Sequence, residues 1–115
     1  MKDISFFSRI YLAINSVDFR KQAHGLALLV EHTLKLTPTK EKCLFVFTNR
    51  RKNAIKLLYF DDTGYAMWWK VLERDKFRWP KDDSEAMLIQ PRELRWLLDG
   101  IDFFNLKKHK KLVIN

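Results

Sequence analysis

Apolar residues fall along this chain in short runs separated by polar turns. From Arg9 to Ile14 the sequence reads RIYLAI, with Ile10, Leu12 and Ile14 alternating with Tyr11 and Ala13. Apolar groups on both faces predict a covered, central strand. Asn15-Ser16 then breaks the run, and Ser16 or Asp18 is suited to cap a following helix. Phe19, Ala23, Leu26, Ala27, Val30 and Leu34 keep helical spacing, which predicts a long helix from Asp18 to Leu36 ended by Thr37-Pro38. Gly25 lies inside that helix, at a cost of about 1 kcal/mol relative to alanine, and would allow close approach to a sheet.

The pattern then changes period. Cys43 to Phe47 is a continuous apolar run, followed by the basic turn Arg50-Arg51-Lys52-Asn53. Ala54 to Phe60 and Tyr65 to Leu72 are two further runs, split by the turn Asp61-Asp62-Thr63-Gly64. A charged turn, Glu73 to Lys76, leads into Phe77-Arg78-Trp79-Pro80. Strand-like runs between short polar turns predict an antiparallel meander. Ala86 to Ile89 predicts one more strand. Gln90-Pro91 opens a second helix with Leu94, Leu97 and Leu98 on its apolar stripe, Trp96 at its edge and Gly100 to stop it. The expected fold class is α+β: a mostly antiparallel sheet of about five strands, one long helix and a shorter C-terminal helix. One domain, residues 1–106, precedes a basic tail, residues 107–115, that contains Lys107-Lys108-His109-Lys110-Lys111.

Composition refines this picture. The 115 residues suit one core, and a 47% hydrophobic fraction excludes global disorder. The net charge of +8 favours a polyanionic partner, with nucleic acid ahead of a membrane surface. The N-terminus has polar residues breaking its apolar stretch, so it predicts neither a secretory signal nor a membrane span, and a cytoplasmic location follows by default. Cys43 is the lone cysteine, excludes an intrachain disulfide and reads as a small core residue.

Catalytic chemistry has little support in the pattern. Asp61, Asp62, Glu73, Asp75, Asp82, Asp83 and Glu85 fall in predicted turns, where carboxylates stabilise backbone or stay solvated. His24, His32 and His109 are scattered without a ligand pair, and no phosphate-binding glycine motif is present. No catalytic residue, cofactor or metal ligand is assigned, and the chain reads as a non-enzyme. The nucleic-acid candidates are Arg50, Arg51, Lys52, Lys56, Lys70, Arg74, Lys76 and Arg78, since guanidinium and ammonium groups neutralise phosphates. Lys56 and Lys70 lie inside strands, so their charge is expected to leave through an exposed face or edge. Adjacent Trp68 and Trp69 should point to opposite faces, both as core or helix-covered residues. The alternative class is an adaptor whose apolar patch binds a protein.

Ordered segments also carry a resemblance. They are Ile10-Tyr11-Leu12-Ala13, Asp18-Phe19-Arg20-Lys21, Gly25-Leu26, Leu29-Val30, Leu44 to Phe47, Arg50-Arg51, Ile55 to Leu58 and Asp61 to Gly64. Lys70, Leu72-Glu73-Arg74 and Phe77 to Pro80 follow, and Leu97 to Asp102 closes the series. Over roughly residues 9–103 the chain resembles the small accessory protein encoded by the second open reading frame of a class of bacterial insertion sequences. That protein is labelled TnpB in this setting and is unrelated to the larger RNA-guided nucleases of the same label. Phe19 stands where members commonly have methionine, Gln22 where a glycine follows the Arg-Lys pair, and Lys52-Asn53 where the turn often has Gly-Asp. The resemblance implies a noncatalytic role in transposition beside a separate transposase. The expected partners are therefore the DNA ends of the element and that transposase, with the adaptor as the alternative.

Overall fold

The computed structural model describes residues 2–105, and the expected basic tail lies outside them. Five strands form one sheet in the order β4-β3-β2-β1-β5: β1 Arg9–Ala13, β2 Cys43–Thr48, β3 Ala54–Asp61, β4 Gly64–Val71 and β5 Ala86–Ile89. Two helices accompany them, α1 Ala23–His32 and α2 Pro91–Leu98, after a 3-10 turn at Ile4–Phe6. The fold is α+β. Three of the four strand pairings are antiparallel; β1 and β2 run parallel, joined by the crossover that contains α1. A two-residue turn at Asp62-Thr63 closes β3 onto β4, with Asp62 at φ 52°, a conformation that aspartate tolerates.

The central position of β2 explains its composition. All six residues of β2 are buried, so the strand has no solvent face and no polar alternation. One sheet face packs Ile10, Leu12, Leu44, Val46, Ile55 and Leu57 against Phe77, Trp79, Leu94 and Leu97. The other packs Ala13, Phe45, Phe47 and Leu58 beneath Leu26, Ala27 and Val30 of α1. Cys43 is buried on this second face, and burial pushes its thiol pKa up. Phe77 to Pro80 adds no strand. It packs on the first face as irregular chain, fixed by the Phe77 amide on the Lys52 carbonyl (2.8 Å) and by Trp79 Nε1 on the Ala13 carbonyl (2.9 Å).

α1 is the longer helix, as expected, but it is shorter at both ends than residues 18–36. Its start is displaced because Asp18 caps a local turn instead: its Oδ1 accepts from the Arg20 amide at 2.9 Å, and its carbonyl accepts from the Lys21 amide at 3.0 Å. Its end is displaced because Lys35 takes φ 59°, and the chain reverses with the Leu36 amide on the Val30 carbonyl. Phe19 and Leu34 keep helical spacing because they pack on the same face as α1, although they lie outside it. α2 begins where expected, with Glu93 Oε1 accepting from the Gln90 amide at 2.8 Å. It ends in a Schellman motif: Gly100 at φ 80° donates to Leu97, and Ile101 donates to Trp96.

Candidate nucleic-acid interface

Parallel pairing of β1 and β2 brings their C-terminal ends to one edge of the sheet. The loops that follow them, residues 14–22 and 49–53, therefore meet there. The 49–53 turn is held by Asn49, whose Oδ1 accepts from the Asn53 amide (3.1 Å) and the Ala54 amide (3.2 Å). Thr48 Oγ1 adds a buried bond to the Ala54 carbonyl at 2.9 Å. Arg50 and Arg51 project from this fixed turn and are exposed. With Asn49 they line a groove of about 500 Å³ whose other wall is Ser16 to Arg20.

The structure divides the eight sequence-selected cations. Arg50 and Arg51 share that groove with Arg20, which also pairs with Asp18 at 2.7 Å. Lys52 turns away at φ 59° and borders a second groove with Asn15, Pro80, Lys81 and Asp82. Arg74 and Lys76 are exposed in the loop after β4, which is tied to the turn by the Leu72 amide on the Asn53 carbonyl (2.8 Å) and the Phe77–Lys52 bond. Arg78 is exposed between buried Phe77 and Trp79. Lys70 is exposed on β4, on the face opposite its neighbour Trp69.

Lys56 is a correction. Its side chain does not reach solvent: the residue is 2% exposed, and Nζ donates to the carbonyls of Phe19 (2.8 Å) and Lys21 (2.9 Å). The ammonium also lies 4.8 Å from the Phe19 ring centroid and 5.7 Å from that of Trp69. Burial pushes its pKa down, partly opposed by Asp18. An amine committed to the backbone is unavailable to a phosphate. Lys56 instead clamps the 18–22 loop onto β3.

That clamp exposes cations that fall inside the expected helix of residues 18–36. Arg20 and Lys21 precede α1 and stand on the loop beside the Arg50-Arg51 turn. Gly25 serves this arrangement, since a Cβ there would lie 3.2 Å from the Lys21 Cβ; its close neighbour is the lysine stem rather than the sheet. The missed signal was Lys56 itself, a lysine in the middle of an apolar strand.

Charge is unevenly spread around this edge. Residues 72–85 carry four basic side chains (Arg74, Lys76, Arg78, Lys81) against five acidic ones (Glu73, Asp75, Asp82, Asp83, Glu85). On the α1 side, Arg20, Lys21, Arg50 and Arg51 face only Asp18 among the acidic residues of the two loops. The positive pole is therefore the α1 side of the edge. Trp68 and Trp69 point to opposite faces, as expected. Trp68 packs half-buried against the core, but Trp69 is 61% exposed, because α1 stops short of the end of β4.

No group of three or more His, Cys, Asp or Glu side chains among the described residues is placed to hold a metal ion. Among the same residues, no helix is long and apolar enough to cross a membrane.

Comparison with known proteins places the chain. It is 37% identical over 95 residues to the uncharacterized protein y4hO of Sinorhizobium fredii, covering 83% of this chain and 82% of that protein. It is 33% identical over 100 residues to the uncharacterized protein y4jC of the same organism, covering 87% and 85%. No solved structure gives a significant match. The family described as IS66 Orf2 like protein matches residues 8–108, which span the whole sheet, both helices and the basic edge; the chain belongs to this family of insertion-sequence accessory proteins.

Proposed function

We propose that this accessory protein serves transposition by binding the DNA of its element through the basic edge of the sheet. The observation that carries the reading is the convergence of Arg50 and Arg51, on a turn fixed by Asn49, with Arg20, on a loop that Lys56 clamps through the Phe19 and Lys21 carbonyls. Guanidinium groups held by rigid backbone lose little freedom on meeting phosphates, and their planar forks suit bidentate contacts. Lys52, Arg74, Lys76 and Arg78 extend the contact along the same edge, weakened by the carboxylates among them. Lys70 adds charge from the opposite face. The protein contributes no catalytic group in this reading; strand cleavage and joining belong to the separate transposase, its expected protein partner.

The test is binding of the purified protein to labelled element-end DNA and to scrambled duplex across a salt series. Each phosphate contact adds about 0.9 to the slope of log affinity against log salt. Arg50→Ala with Arg51→Ala should lower that slope by about 2 and weaken binding to every duplex. Unchanged DNA binding with lost transposase association would instead establish the adaptor reading.

A further inference from the structure

We infer that Trp69 is a stacking platform for an unpaired base, so that the nucleic acid held at this edge is single-stranded at the point of contact. This rests on the DNA-binding reading above and specifies the form of nucleic acid bound. Trp69 is the most exposed large apolar residue among those described, at 61%. It stands on β4, an outer strand of the sheet, so a chain running along that edge meets no neighbouring strand. Val71, on the same face two residues on, is 49% exposed and extends the apolar surface toward the Arg50-Arg51 turn through its pairing with Ala54.

The other exposed tryptophan shows what a committed ring looks like. Trp96 carries Arg92 over one face at 5.9 Å and packs on Phe103 at 5.5 Å. Among the described residues no aromatic ring stacks on Trp69. Among the described residues Lys56, its cross-strand partner, lies over the ring at 5.7 Å and is engaged by the Phe19 and Lys21 carbonyls. The indole thus meets the Lys56 ammonium and leaves most of its surface to solvent.

The cations lie where a backbone would pass. Lys21 is joined through its carbonyl to the ammonium that faces Trp69, and Arg20 continues into the groove with Arg50 and Arg51. A base on the indole and phosphates on the arginines is the pairing of stacking and electrostatics by which proteins grip single strands. A duplex hides its base faces in the stack and offers Trp69 nothing to stack on, although its phosphates still meet the arginines. The charge around the ring favours this occupant over an apolar protein surface.

The experiment is fluorescence anisotropy with a labelled oligothymidine strand and with a labelled duplex of equal length, using the intact chain and its Trp69→Ala, Trp69→Tyr and Arg50→Ala/Arg51→Ala variants. An exposed position leaves the fold intact, which thermal melting verifies. Trp69→Ala should weaken single-strand binding roughly ten-fold to a hundred-fold, leave duplex binding within about two-fold, and be largely rescued by Trp69→Tyr. Equal losses on both ligands, or no loss on the single strand, would overturn the stacking platform. The DNA-binding reading would then stand or fall separately on the arginine variants. Absence of binding to either nucleic acid by the intact chain would overturn both.

Discussion

Lys56→Met tests how the fold builds its basic edge. Methionine keeps the unbranched stem and fills the same space between Phe19 and Trp69, but it donates no hydrogen bond. The wild-type ammonium makes two such bonds, at 2.8 and 2.9 Å, with its carbon stem buried on β3. Hydrogen bonds to a charged group contribute about 1.5–3 kcal/mol each. Removing the ammonium also relieves its desolvation, worth several kcal/mol, which is why some buried ion pairs can be replaced by apolar residues without loss. The partners decide the sign here. They are main-chain carbonyls that remain after the substitution, and the buried side of each loses its donor. A net destabilisation of about 2 kcal/mol follows, which for a domain of this size lowers Tm by roughly 8 °C. Chemical denaturation measures the stability. Amide hydrogen exchange at Arg20 and Lys21, whose N–H groups are bonded within the Asp18 turn, reports the loop. Both amides should lose protection well before the strands do. A variant as stable as wild type, or one whose Arg20 and Lys21 amides keep their protection, would refute the clamp.

Three further substitutions probe separate parts of the argument. Trp79→Phe removes the 2.9 Å bond to the buried Ala13 carbonyl and part of a buried ring, and should cost about 2–3 kcal/mol in denaturant titration. Gly100→Ala forces a Cβ into φ 80° and should cost about 1–2 kcal/mol by the same measurement, with nothing within 4 Å to add a clash. Arg20 holds the Asp18 carboxyl down to about 2 through side-chain and backbone hydrogen bonds. Because that folded value is depressed, the stability it confers is complete above pH ~4 and is lost as pH falls through about 2. Asp18→Asn should therefore remove that contribution above pH ~4, lowering stability in the neutral range and flattening the acid limb between these values, as read from urea midpoints across pH.

Most of the sheet was legible because hydrophobic alternation and turn chemistry are local. β5 spans the expected residues 86–89, and β2, β3 and β4 end within a residue of expectation. Strand direction was not legible: period two is the same in parallel and antiparallel pairs, so the β1–β2 pairing and the edge it creates came only from the fold. The helix was overextended for a physical reason. Phe19 and Leu34 obey helical spacing because they share the packing surface of α1, while Asp18 and the left-handed Lys35 close the backbone around it. The expected helix thus absorbed Arg20 and Lys21, which precede α1. The roles of Lys56 and Trp69 are set by how far α1 reaches across β3 and β4, a tertiary quantity without local periodicity. The net charge of +8 pointed toward nucleic acid, but its concentration on the α1 side came from the fold.

The basic edge is held in two halves by different means, and this predicts how it fails. Asn49 fixes the Arg50-Arg51 turn through its own side-chain amide, using bonds confined to residues 49–54. Lys56 fixes the Arg20-Lys21 loop from the sheet, through bonds to residues 19 and 21. The two devices share no hydrogen-bonding atom. Loosening either one disperses half of the charge while the other half stays in place, so each single variant retains partial affinity. Asn49→Ala and Lys56→Met should each weaken nucleic-acid binding several-fold, and the double variant should lose the product of the two factors, as independent sites do. A double variant no weaker than the worse single one would mean that the two loops are ordered as one unit. The groove between them would then be the binding element, and the separate attribution of charge to each loop would fail.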